Sequence, residues 1–422
     1  MKTRIRILAK LLALLVFCSS IATADPVLEW NAIMVITISG QNPFAQARFA
    51  AITQLAVFEA VNSITKEYQT YLGIIAAPKG ASPEAAAIAA AHAVLREYFP
   101  GNAAILDAAR ANSLAALPDG QAKNDGIVVG LASAALLIAL RANDGSTPPQ
   151  FYLPTSSAPG QWQLTPSCPP AGGVFLHWRN VTPFGIRSSQ QFRSDPPPTL
   201  TSHRYARSYN EVKEVGDAGS AQRPPHQSDV ARFFAVVSAV AAWNPAVNQV
   251  ASAKGKSLSK NARAFALLNM AMSDALVSVM ETKYHYNLWR PETAIRAGDT
   301  DGNRNTEPLG SFVPFITTPC FPSYPSGHAS ASYAARKIAE EIFGEAGHSI
   351  TLSNPLVPGV ILQYDSFGQL TTDIDDARVY GGIHFRFDQT AGAQQGMQVG
   401  EYVHKHNLRR TCGDAETRRD MK

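Results

Sequence analysis

Three short stretches between Lys283 and Asp388 hold the residues best suited to chemistry. The first is Lys283 followed, after six residues, by Arg290-Pro291, and the second is Pro325-Ser326-Gly327-His328. The third is Ala377-Arg378, five residues, His384 and then, four positions on, Asp388. Together they offer a Lys point charge, two forked Arg donors, a Ser hydroxyl, a Gly amide and two imidazoles. A tetrahedral or trigonal-bipyramidal oxyanion is held by such a set. The imidazoles add proton transfer or a bond to the central atom.

Taken singly, each residue has a plainer reading. Lys283, Arg290 and Arg378 would be solvated surface charges, Ser326 a helix N-cap, and His328 and His384 ordinary structural histidines. Two features weigh against this. Arg290 lies among Tyr284, Tyr286 and Trp289, where a charge needs a partner. Ser326-Gly327 at a helix start presents free N–H groups, so cap and anion site are compatible. Asp388 is expected to orient a histidine or to pair with Arg386 or Arg378. His92, His285, His404 and His406 have no such context and are read as structural.

In order and with these spacings, the pattern K-x6-RP, PSGH, [SA]R-x5-H-x3-D resembles the signature of the vanadium-dependent haloperoxidases and of the PAP2-type acid phosphatases, which form one superfamily. Ala377 stands where that signature usually has Ser. Asn180 to Phe184 and Pro196-Pro197-Pro198 also resemble bacterial haloperoxidases. The resemblance implies a mainly α fold of packed helical bundles, with vanadate as cofactor and phosphate competing for the same site. It implies that Lys283, Arg290, Ser326, Gly327 and Arg378 hold the oxyanion, with His384 bonded to vanadium. His328 would be the acid–base group toward hydrogen peroxide, and Lys283 would add charge as halide attacks. The alternative reading has His384 attack a phosphate monoester while His328 protonates the leaving oxygen. A third reading is a non-catalytic oxyanion-binding protein. Chain length and the upstream likeness favour the haloperoxidase. Phe321, seven residues before His328, matches an aromatic residue of the fungal-type halide pocket. Met280, three before Lys283, replaces its Trp, which leaves the halide open.

The elements that must position these groups read as helices joined by Pro/Gly loops. Starts or spans are expected at Arg48 to Ser63, Ser82 to Tyr98, Ala103 to Ala116 and Gln121 to Ala142. A long loop follows over 144–198, then helices at Ser202 to Val215, Ser228 to Trp243 and Ser257 to about Met280. Lys283 falls at or just past the end of that last helix. Further helices are expected from Ser326 to Phe343 and from Asp388 to His404, before a charged, fraying tail. Asp299 to Asn305 resembles part of a calcium loop, but Arg304 and Gly310 break the pattern, so an ordered turn is expected.

The 422 residues are 45% apolar and 17% charged, which suits a folded globular chain. Lys2, Arg4, Arg6 and Lys10 precede an apolar run from Leu11 to Phe17 and then Ala22-Thr23-Ala24. This reads as a cleaved secretory leader over 1–24, giving a secreted or periplasmic protein and one domain over 25–422, with the motif region at about 260–408. Without the leader, 33 basic residues balance 33 acidic ones, so neither nucleic acid nor a stable membrane association is expected. No later segment reads as a membrane span. Export leaves Cys168, Cys320 and Cys412, which allow one disulfide of open pairing.

Overall fold

The computed structural model describes residues 25–411; the expected leader, Cys412 and the end of the tail lie outside the described residues. Among these there are thirteen α-helices and one two-stranded sheet. The first half holds α1 (Pro26–Ile38), α2 (Pro43–Thr65), α3 (Pro83–Tyr98), α4 (Ala103–Ala115) and α5 (Gln121–Arg141). After a long loop come α6 (His203–Val215), α7 (Pro225–Val236), α8 (Ala239–Lys254), α9 (Leu258–Tyr286) and α10 (Pro291–Arg296). The chain ends with α11 (Gly327–Phe343), β1 (Ala346–Ser353), β2 (Ile361–Ser366), α12 (Phe367–Tyr380) and α13 (Arg386–His406).

The starts follow side-chain caps. Asn42, Ser82, Ser202, Ser257, Ser326 and Ser366 each accept a main-chain N–H from the first turn of the helix that follows. At the centre stands α9, buried around its whole circumference over most of its length, with a few polar side chains such as Asp274 and Lys283 set into its apolar faces. On one side α2 packs against it, backed by α3 and α5; on the other lie α11 and α13. One continuous core runs from Val27 to Leu408 through both halves. Helices α11 and α13 approach closely because Gly392, Gly396 and Gly400 face the α11 backbone. A Cβ on Gly396 would lie 2.1 Å from the Ser330 carbonyl oxygen.

Several expectations change. The single helix read over 228–243 is two, α7 and α8, bent by 103°. Val237 is extended between them, and Ser238 caps α8 through the Ala241 N–H, which stops one helix and starts another. Helices α1, α10 and α12 and the β1–β2 hairpin are additional to those expected. In the hairpin, Ile350 pairs with Tyr364 and Leu352 with Leu362, and alternate residues are buried. Two helices, α5 and α9, are long and apolar enough to cross a membrane, contrary to expectation. α9 lies wholly inside the protein, whereas α5 exposes Val128, Leu136 and Leu140. The start of the tail does not fray: the Gln69 N–H donates to Arg409 O at 2.7 Å and the Thr411 N–H to Glu67 O at 3.1 Å.

The long loop is tied down rather than loose. Cys168 and Cys320 form a disulfide, which settles the pairing the sequence left open. On α9, the Asp274 carboxylate collects the N–H groups of Phe184, Gly185 and Ile186 at 2.6, 2.6 and 2.9 Å. In the 299–305 turn, Asp301 accepts from the Asn303 N–H and the Thr306 hydroxyl, and Asn303 donates to Leu200 O, so these side chains serve the turn itself. Glu59 on α2 is fully buried, and one of its carboxylate oxygens has no partner. Burial pushes its carboxyl up to about 7, even though the Tyr71 and Leu72 amides pull it down.

Candidate active site

The fold brings all three sequence stretches to one place. Lys283 sits in the last turn of α9, still inside the helix, and is fully buried. Its ammonium donates to Pro322 O at 2.9 Å and Ser323 O at 2.7 Å, leaving one of three protons unspent. Arg290 is held extended before Pro291 as the residue preceding α10. Its Nε donates to Phe321 O at 2.8 Å and its Nη1 to Ile383 O at 2.9 Å. Arg378, in the last turn of α12, donates from Nη1 to Phe234 O at 2.7 Å, near the end of α7. All three cations are therefore positioned by neutral carbonyls and not neutralised by carboxylates. The Phe321 ring lies 5.3 Å from Lys283 Nζ and 5.0 Å from the Arg290 guanidinium carbon.

Ser326 is the N-cap of α11, its hydroxyl accepting from Ala329 N at 3.3 Å, and Gly327 is the first helical residue. The Ser326 N–H donates to Asp388 O at 3.0 Å, which joins the second motif to the third. His328 follows, half-buried on the wall of a cavity that Gly327, Arg378 and His384 also line. Burial and then the Arg378 and Lys283 charges hold its imidazole well below the usual range, while a hydrogen bond with the Val237 main chain pulls the other way.

His384 lies in the turn between α12 and α13, just before the last helix. Gly382, at φ 79°, makes that turn, and a Cβ there would lie 2.3 Å from Gly216 O. His384 Nδ1 is 2.7 Å from Asp388 Oδ2, which also accepts from the Ser323 hydroxyl at 2.6 Å and the Phe385 N–H at 3.1 Å. A carboxylate at Nδ1 holds the ring proton there, so Nε2 is the unprotonated nitrogen and can accept a hydrogen bond or bind a metal. That nitrogen is 3.0 Å from Arg290 Nη1. Asp388 thus orients a histidine, the first of the two roles expected of it, while Arg386 pairs with Glu211 and Asp376 instead.

Burial, then Arg290, Lys283, Arg378 and His328, hold the His384 imidazole well below its ordinary value, so it stays neutral. Burial also lowers Lys283, aided by Arg290 and Arg378 and opposed by Asp388. Arg290 is lowered to about 9 and Arg378 to about 10, burial being the main cause in each. Three buried cations thus face one carboxylate. Two buried guanidinium donors, Arg290 Nη2 and Arg378 Nε, have no partner, and an orphan charged donor is costly unless something accepts from it. An oxyanion supplies the missing acceptors and the missing negative charge.

The sequence stretches did not reveal the end of α7, where Phe234 and Val237 present main chain to Arg378 and His328. Main-chain groups have no residue signature; only the Ser238 cap marked the break. The cavity residues Phe44 and Phe175 were also missed, because nothing distinguishes them from core phenylalanines.

Residues 263–413 match the family model of the VCPO second helical-bundle domain. A vanadium chloroperoxidase from Curvularia inaequalis is 22% identical over 267 residues, covering 48% of this chain and 44% of that protein, so the match spans under half of the relative's length. A solved bacterial vanadium-dependent iodoperoxidase is 26% identical, with a TM-score of 0.77 over 93% of this chain and 97% of that one. A holo-type bacterial vanadium-dependent chloroperoxidase has a TM-score of 0.70 at 18% identity, over 88% and 93% of the two chains. Residues 263–413 therefore resemble the second helical-bundle domain of the vanadium chloroperoxidase type, in a chain with the fold of the vanadium-dependent haloperoxidases.

Proposed function

We propose that this chain is a vanadate-dependent haloperoxidase that uses hydrogen peroxide to oxidise halide to hypohalous acid. The observation that carries this reading is the pair of unpartnered buried guanidinium donors beside a histidine whose Nε2 is kept unprotonated by the carboxylate at Nδ1. Lys283, Arg290, Arg378, the Ser326 hydroxyl and the Gly327 N–H would hold the oxygens of vanadate, and His384 Nε2 would bond to vanadium. Bound vanadate supplies Lewis acidity that polarises peroxide without a change of oxidation state.

The chain's own residues do the rest. Neutral His328 takes a proton from incoming peroxide at its free ring nitrogen and returns it to the departing oxygen. Lys283, with a proton unspent, offsets negative charge as oxygen is transferred to halide. Asp388 keeps His384 in the tautomer that presents Nε2. The apolar cavity wall limits water around the reacting groups, which strengthens each of these interactions. Phosphate would occupy the same donors and compete. Export to an oxidising compartment belongs to this proposal and is supported by the Cys168–Cys320 disulfide.

The test separates the two histidines. After dialysis against vanadate, wild type should brominate a phenol-type dye with peroxide, and phosphate should block loading. His384→Ala should lose most of its vanadate affinity by isothermal titration, and all activity. His328→Ala should keep most of that affinity and lose about 10²–10⁴-fold in rate. Rapid hydrolysis of p-nitrophenyl phosphate without bromination would replace this reading with the phosphatase; equal loss of affinity in both variants would reverse the two roles.

A further inference from the structure

We infer that the cavity over His328 binds an apolar, electron-rich arene as organic acceptor, and that halogenation takes place while the acceptor is held there. The inference rests on the haloperoxidase reading and names its second substrate. The cavity measures about 410 Å³. Vanadate at the Arg378–His384 end, peroxide and a halide ion together take up on the order of six water volumes, about 30 Å³ apiece, so they leave much of it unused. Its volume and mainly apolar lining are those of an organic-ligand site.

Three phenylalanines from three separate elements build one wall: Phe44 at the start of α2, Phe175 from the long loop and Phe321 before α11. Phe175 lies 4.6 Å from Phe44 and 6.2 Å from Phe321, ring centre to ring centre. Phe175 also holds a left-handed backbone at φ 65°, a conformation bulky residues avoid unless their surroundings impose it. Polar groups are few and mostly at one end: His328, Arg378 and His384 at the reacting end, with Thr317 on the exposed rim. A small hydrated ion gains nothing from such walls, whereas an arene does.

The chemistry balances without another reagent. Peroxide takes two electrons from halide, its O–O bond breaks, and hypohalous acid and water result. The acceptor's π pair then attacks the halogen: a C–X bond forms and the O–X bond breaks with its pair on oxygen. The proton on the attacked carbon passes to neutral His328. In sum, acceptor, peroxide, halide and one proton give halogenated acceptor and two waters.

The probe is 1-naphthol, titrated into the full chain with and without vanadate. Ala235 and Thr317 line the cavity and are exposed at its rim, so Ala235→Trp and Thr317→Trp narrow the mouth without disturbing the core. Wild type should bind naphthol saturably, and the two variants should each bind it at least tenfold more weakly. Loaded wild type should give a bromonaphthol isomer ratio different from that of hypobromite in buffer. The variants should shift toward the hypobromite ratio while still oxidising iodide to triiodide, which needs no organic site. Absence of saturable binding, or an isomer ratio equal to that of free hypobromite, overturns the inference. Naphthol binding without any halide oxidation overturns the haloperoxidase reading beneath it.

Discussion

Replacing Asp388 by Asn should separate what holds the fold from what makes the site work. Asp388 is fully buried, and three donors converge on its Oδ2: His384 Nδ1–H, the Ser323 hydroxyl and the Phe385 N–H. Its other oxygen has no partner. An Asn oxygen at the Oδ2 position keeps all three bonds and puts the amide nitrogen where the unpartnered oxygen was. Burial lifts the carboxyl from 3.8 to about 6, outweighing Ser323, Lys283 and Arg290, which pull it down. Because the folded value lies above the unfolded one, the ionised carboxylate subtracts stability as pH rises from about 4 toward 6 and beyond, by on the order of 2–3 kcal/mol. Asn removes that cost but also removes the carboxylate facing Lys283 and Arg290, so the two effects oppose and at pH 7 the variant should melt within a few degrees of wild type. Function should fall. A neutral amide still accepts from Nδ1–H but polarises the imidazole less, and losses of this kind cost about 10–100-fold in affinity. Differential scanning calorimetry beside isothermal titration of vanadate reads both quantities. A melting temperature lower by more than a few degrees with unchanged vanadate affinity would show that Asp388 is a structural anchor and not the orienting group of His384.

Three further outcomes are expected. Glu59→Gln should leave stability unchanged below pH 4 and raise it by up to about 3 kcal/mol at pH 8, because the buried carboxyl titrates near 7 and ionises at a cost; urea midpoints at the two pH values check this. Gly396→Ala, which forces a Cβ against the Ser330 carbonyl, should cost about 1–3 kcal/mol by separating α13 from α11, read from chemical denaturation. Replacing Cys168 and Cys320 together by Ser opens a closed loop with a sequence separation of 152 residues and should cost about 2–5 kcal/mol, again by denaturation midpoint.

What could be read in the sequence follows where the information lies. Helix starts at Ser82, Ser257 and Ser326 were legible because a capping side chain is local. The pocket cations and both histidines were legible because their spacing is itself a pattern. The α7–α8 bend was not, since Ser238 and an extended Val237 are a weak mark inside an otherwise helical run. The hairpin was missed although His348, Ile350 and Leu352 alternate with exposed residues, because the run is short and stands among helices. Arg378 was picked out without its helix, α12, whose Thr- and Asp-rich start gives little apolar periodicity. The tail from Arg409 looked free because its partner segment, 67–69, is more than three hundred residues away in sequence.

The carbonyl grip on the pocket cations limits how the protein can vary. Pro322, Ser323, Phe321, Ile383 and Phe234 contribute main-chain oxygen, so replacing their side chains leaves every one of those acceptors in place. A carbonyl neither titrates nor oxidises, so the acceptors that place the cations are unaffected by pH and by the oxidants the reaction would release. Point substitution therefore cannot easily retune the anion end. The freedom to diversify lies instead in the apolar wall, where Phe44, Phe175 and Ala235 can change without loosening a single cation.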